Sequence, residues 1–147
     1  MSFNSLAALN VLECRNFIEN ENAEAIDLGC QTSAINSNFI SNIIKQYPKL
    51  KNLHKKNLEN LKNIHDFSTK DYFCSIGFKD YKSIDINGAY ESFRFDLNKN
   101  ISKTYNFNQK YDLVVNNGTG EHVFNQYELF LNFHNLTKIG GIMLNIL

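Results

Sequence analysis

No charge of one sign dominates this 147-residue sequence: Lys plus Arg and Asp plus Glu are both 15, and the formal net charge is zero. A global field drawing the protein to nucleic acid or an anionic membrane is therefore absent, and any such binding has to be local. Cysteine is scarce. Cys14, Cys30 and Cys74 are odd in number and lack C-x-x-C spacing, which fits neither a disulfide framework nor a zinc site, so a reducing, cytoplasmic setting is expected and no metal is implied. No run reaches the roughly 18 apolar residues of a membrane span, and the N-terminus has no basic start followed by a continuous apolar stretch. Asparagine, by contrast, is abundant. It is scattered among Leu, Ile and Phe rather than forming tracts, which speaks against a disordered segment and reads as compositional drift.

The length suits one domain with a single sizeable core. Residues 5–18, "SLAALNVLECRNFI", predict a helix with Ser5 as its cap. "EAIDL", 24–28, is a short apolar run closed by Gly29 and predicts a buried strand. The spacing of Ile35, Phe39, Ile40, Ile43 and Ile44 is helical from Ala34 to about Gln46, and Pro48, the single proline, ends that helix. Residues 49–65 set Leu50, Leu53, Leu61 and Ile64 in a Lys-rich background, an amphipathic helix with one narrow apolar stripe. "TKDYFCSIGF" predicts a short helix stopped at Gly77.

"YKSIDI" and "ESFRFDL" follow as two short strands. "YDLVVN", residues 111–116, is the clearest buried strand, being apolar, β-branched and bounded by "NNG". Residues 123–138 predict a helix, with apolar side chains at Val123, Tyr127, Phe130 and Leu131, and "GGIMLNIL" closes as a strand. Strands alternating with helices imply the α/β class, with a mainly parallel open sheet flanked by helices. The expected organisation is one domain over 1–147: an N-terminal helix within 1–22, then a core over 23–147 with a Lys-rich helical insertion near 49–66.

In an open parallel sheet, ligands bind beyond the carboxyl ends of the strands, near the point where strand order reverses. The residues at those ends are Gly29, Cys30 and Gln31 after the first strand, Asp85, Ile86 and Asn87 after the second, Asp96 and Leu97 after the third, and Asn116 to His122 after the fourth. A dinucleotide loop needs a second glycine so that the backbone can approach a pyrophosphate, and Gln31 stands there; the acid expected about 20 residues on is missing as well. A G-x-x-x-x-G-K-[ST] loop is also lacking.

The ordered motifs resemble those of the class I S-adenosylmethionine-dependent methyltransferases with a Rossmann-like sheet. "AIDLGCQTS" looks like that family's first motif, although Gln31 and Ser33 replace two of its glycines. "YKSIDING" is similar to its second strand, "FRFDLNK" to the next acidic segment, "YDLVVNNGTGEHV" to its fourth strand, and "LTKIGGIMLNIL" to its fifth. The resemblance covers residues 24–147, and the family's sheet continues with two further strands, so the fold is expected to be incomplete at the C-terminus. It implies an S-adenosylmethionine site in which Asp27, Gly29, Cys30, Gln31, Asp85, Ile86, Asp96, Leu97 and Asn117 contact the cofactor. Asp85 would accept from the ribose hydroxyls and Asp96 from the adenine amino group. Glu121 and His122 would line the reacting centre, and the acceptor would be a small molecule.

Each of these residues also has a plainer reading: Gly29 as a strand-end turn, Asp85 as a solvated acid or helix cap, Asp96 as a turn former, and the Glu121–His122 pair as a loop or cap. His54, His65 and His134 have no metal-ligand spacing and are expected at the surface or in packing. The Lys-rich segment has almost no aromatic residue for base stacking, so it reads as a solvated helix rather than a nucleic-acid site. An exposed fifth strand at 141–147 would offer a pairing edge, which predicts self-association. A non-catalytic binding or assembly module on the same fold is the alternative to an enzyme.

Overall fold

The computed structural model describes residues 2–29, 32–47 and 50–146. Its centre is a four-stranded sheet in the order β2-β1-β3-β4, built from β1 (Glu24–Asp27), β2 (Asp80–Ser83), β3 (Tyr111–Asn117) and β4 (Thr137–Ile146). Every pairing is parallel. Among the described residues six α-helices flank it: α1 (Ser5–Phe17), α2 (Ser37–Gln46), α3 (Asn52–Lys62), α4 (Thr69–Ser75), α5 (Ile101–Tyr105) and α6 (Gln126–Leu136). The fold is thus the expected α/β sheet of open, Rossmann-like form. The chain leaves β1 for β2 on one side and returns to β3 on the other, so strand order reverses between β1 and β3.

All seven residues of β3 are buried, as a parallel strand covered on both faces requires. Successive side chains point to opposite faces. Ala25, Tyr81, Leu113 and Val115 accordingly join a core with α1 to α4, while Ile26, Ile84 and Val114 join a second core with α5 and α6. α1 is part of the first core through Ala7, Ala8, Val11 and Leu12, and is not an appendage to the region from residue 23 onward.

The asparagines have a structural use that composition did not reveal. Asn4, Asn36, Asn100 and Asn125 each cap a helix, accepting from the backbone N–H of Ala7, Phe39, Lys103 and Glu128. Their short side chains place a carbonyl oxygen over the otherwise unpaired amides of a first turn. Asn4 takes the role expected of Ser5. α4 starts with a capping box between Ser68 and Asp71.

Three sequence expectations are corrected. The stripe expected on α3 holds only in part: Leu50, just before the helix, and Leu61 are buried, Leu53 and Ile64 are exposed, and His54 and Leu58 join Leu61 as the buried residues of the helix. Leu50, Leu58 and Leu61 carry the Lys-rich segment into the first core, as part of the connection from β1 to β2. "ESFRFDL" is not a strand. Phe93 makes a single parallel bridge to Ile84, after which Phe93 stacks on Phe95 with ring centroids 5.4 Å apart, and Phe95 stacks on Tyr105 at 4.4 Å. Aromatic packing against the α5 region there takes the place of a backbone ladder. Finally, β4 begins at Thr137, directly at the end of α6, with no intervening turn.

Candidate functional site

The glycine turn after β1 lies at the reversal point. A Cβ at Gly29 would overlap the side chain of Thr119, which follows β3, so the turn and the β3 loop pack against each other where only a hydrogen fits. That loop is tied internally. Asn116 accepts from the Gly120 amide at 2.8 Å, the His122 amide donates to the Thr119 carbonyl at 3.0 Å, and Gln126 donates to the Gly120 carbonyl at 2.8 Å. Glu121 and His122 stand exposed on its outer turn. Asn117 is buried at the end of β3.

Beside this junction, at the carboxyl ends of β1 and β2, a cleft of about 660 Å³ opens between β2 and the segment leading into α4. That volume suits a ligand of nucleoside size or somewhat larger. Thr32 and Ser33 form one wall, Phe67, Ser68 and Thr69 another, and Tyr90 with Glu91 the rim; Tyr81, Lys82 and Ser83 of β2 also line it. Thr69, Tyr81 and Ser83 are all buried. Tyr81 and Ser83 share the face of β2 that would ordinarily be wholly apolar, so the cleft has a polar floor under partial cover.

Asp27 is completely buried, in register with Ser83 on the neighbouring strand. The Tyr81 hydroxyl approaches Asp27 Oδ2 at 3.5 Å, and Oδ1 has no partner among the described residues. Burial pushes this carboxyl well above its ordinary range, and the hydrogen bond from Tyr81 opposes that only in part. An unpaired buried carboxyl oxygen is costly. At the other end of the cleft, Lys70 and Lys82 both reach Asp80, at 3.4 and 3.0 Å.

The remaining expected cofactor residues are dispersed. Asp85 is half-buried just past β2; its Oδ1 accepts from the Asn87 amide at 2.8 Å, which leaves Oδ2 for another donor. Ile86 is exposed. Asp96 is held in its own turn, where Oδ1 accepts from the amide and side chain of Asn98 at 3.0 and 2.9 Å. Those bonds, led by the Asn98 side chain, hold its carboxyl below the usual carboxylate range. Leu97 is a core residue packed with α5 and α6. Cys30 and Gln31 lie outside the described residues.

Among the described residues, none of the named site residues lines the cleft. Tyr81 and Ser83, which do line it, lie inside β2 and not past its carboxyl end, where ligand residues of an open sheet are expected. The available signal was "YKS", whose polar residues fall on the face of a strand that must pack. His54 is a packing residue set against Gly77, where φ is +101° and a Cβ would overlap the imidazole; burial, then Arg15 and Lys51, lower its pKa. His65 and His134 are exposed. No group of metal-ligating side chains occurs among the described residues, and none of their helices is long and apolar enough to cross a membrane. No family model matches the chain, and no curated protein or solved structure matches it either.

Proposed function

We propose that the chain is a cofactor-binding domain of the S-adenosylmethionine-dependent methyltransferase type, with a small molecule as methyl acceptor. The observation that carries this reading is the position of β1: a central strand that ends in the Gly29 turn at the reversal of strand order, beside a polar-floored cleft of nucleoside size. Oδ1 of Asp27, which has no partner among the described residues, supports it further, because an acceptor at the carboxyl edge of β1 suits a donor such as an ammonium group. A sulfonium cofactor carries no pyrophosphate, so one close-approach glycine suffices where a dinucleotide needs more.

The cofactor would supply an electrophilic methyl group, and the residues' part is to hold and align. Asp85 offers its free oxygen to ribose hydroxyls, and Asn117 its amide at the end of β3. Glu121 and His122 flank the side on which an acceptor would approach. Alignment and exclusion of water do most of what an in-line displacement requires.

The test is calorimetry with S-adenosylmethionine and S-adenosylhomocysteine. Saturable binding is expected, weakened at least about tenfold by Asp85→Ala, the loss of a charged hydrogen-bond acceptor. Absence of heat with both compounds would overturn the reading. The exposure of Glu121 and His122 favours a second reading, a binding module without turnover; formation of S-adenosylhomocysteine in the presence of acceptor candidates would refute it.

A further inference from the structure

The loop from Asp85 to Phe93 is pinned at both ends: the Asp85 amide donates to the Phe93 carbonyl and the Phe93 amide to the Ser83 carbonyl, each at 2.9 Å. Between these anchors the backbone does something unusual. Tyr90 has φ +52° and ψ +41°, and Glu91 has φ +60°. Two successive non-glycine residues thus sit in the left-handed region, at roughly 1 kcal/mol or more each. Tyr90 lines the cleft while 69 % of the residue's surface is open to solvent, which places it at the rim. A strained backbone holding a large apolar ring in water is explained if a second flat surface covers the ring. Asp96, the residue that the resemblance implies for the adenine, has Oδ1 held by Asn98 and lines no part of the cleft.

We propose that Tyr90 is the base-stacking residue of the site: the purine of the cofactor lies against the Tyr90 ring at the mouth of the cleft, and Asp85, at the start of the same loop, keeps the sugar hydroxyls. This rests on the methyltransferase-type reading and moves recognition of the base from Asp96 to Tyr90. Stacking requires the ring and not the phenolic hydroxyl, and base–aromatic contacts of this kind are worth about a tenfold to hundredfold change in affinity.

The sequence contains no tryptophan, so Tyr90→Trp places the sole tryptophan, which can be excited selectively over the tyrosines, at the proposed contact. Titration of the full chain with S-adenosylhomocysteine should quench its emission saturably. By calorimetry, Tyr90→Phe should bind within about twofold of the wild type and Tyr90→Gly at least about tenfold more weakly, while Asp96→Ala should stay within about twofold. Glycine adopts the left-handed backbone without cost, so the Tyr90→Gly protein stays folded and reports only the missing ring. Wild-type affinity in Tyr90→Gly, or unquenched emission from a Tyr90→Trp protein that binds by calorimetry, would overturn the assignment and leave the proposed function standing. A wild-type protein that does not bind S-adenosylhomocysteine overturns both.

Discussion

Asp27 and Tyr81 meet across neighbouring strands, hydroxyl to carboxyl at 3.5 Å, in a place where the carboxyl is fully buried and its other oxygen has no partner among the described residues. Burial raises its pKa well above the ordinary 3.8. The folded chain therefore holds this proton more tightly than the unfolded chain does. Its contribution to stability is fully present below about pH 4 and is lost as pH rises through the elevated folded value.

Asp27→Asn should flatten that slope, because the amide has nothing to ionise. The gain at pH 8 is expected to be on the order of 1 kcal/mol, read from urea midpoints at pH 4 and pH 8. A variant with an unchanged pH slope would show that Asp27 is not the group responsible. If Asp27 serves the cofactor, the same variant gains stability and loses affinity, the usual exchange at a binding site.

Asp112 behaves in the opposite way. Burial alone would raise its pKa, but hydrogen bonds from Asn20 at 3.0 Å, from Lys138 at 2.8 Å and from the Glu24 amide at 2.8 Å outweigh that and lower it. Its contribution is present above about pH 4 and is lost as pH falls through the lowered folded value. Asp112→Asn should cost roughly 1–3 kcal/mol at pH 7 and much less at pH 3. It ties the starts of β1 and β4 together, at the end of the sheet away from the cleft, so ligand affinity should not change.

Arg15 is buried, and it donates Nε to the Gly77 carbonyl at 2.9 Å, one terminal nitrogen to Ile18 at 2.8 Å and the other to Asn20 at 3.2 Å. Its guanidinium also lies over the Phe78 ring at 5.4 Å. One side chain thus fastens the end of α1 to the turn after α4. Arg15→Met should cost about 3 kcal/mol by thermal or urea denaturation, since carbonyls are left unpaired. Arg15→Lys should recover less than half of that, because an ammonium cannot match the fork.

Gly29→Ala should destabilise the fold by about 1–3 kcal/mol through overlap with Thr119. Thr119→Gly should restore most of that loss in the double variant, which a denaturation cycle would detect as coupling. Absence of coupling would mean that something other than this contact requires the glycine.

Much of this chain was legible from periodicity. The apolar, β-branched "YDLVVN" could only be a covered strand, and "EAIDL" followed by glycine marked the first strand. The candidate site was less legible, because strand ends are readable but side-chain reach is not. Asp96 accepts through Oδ1 from Asn98, two residues on, and Leu97, named beside it, packs in the second core, and neither contact can be read from strand order.

By itself, the sequence determined the class of fold and the order of its elements, because the 2.0 and 3.6 periods of burial are written into local residue spacing. It also determined that the Gly29 turn would fall at the carboxyl edge of the sheet. Only the tertiary structure decided that Tyr81 and Ser83 would floor a cleft, that Tyr90 would stand uncovered at its rim, and that His54 rather than Leu53 would pack inward. Those outcomes depend on which strand lies beside which. That choice is made by contacts between residues far apart in the chain, and no local pattern carries it.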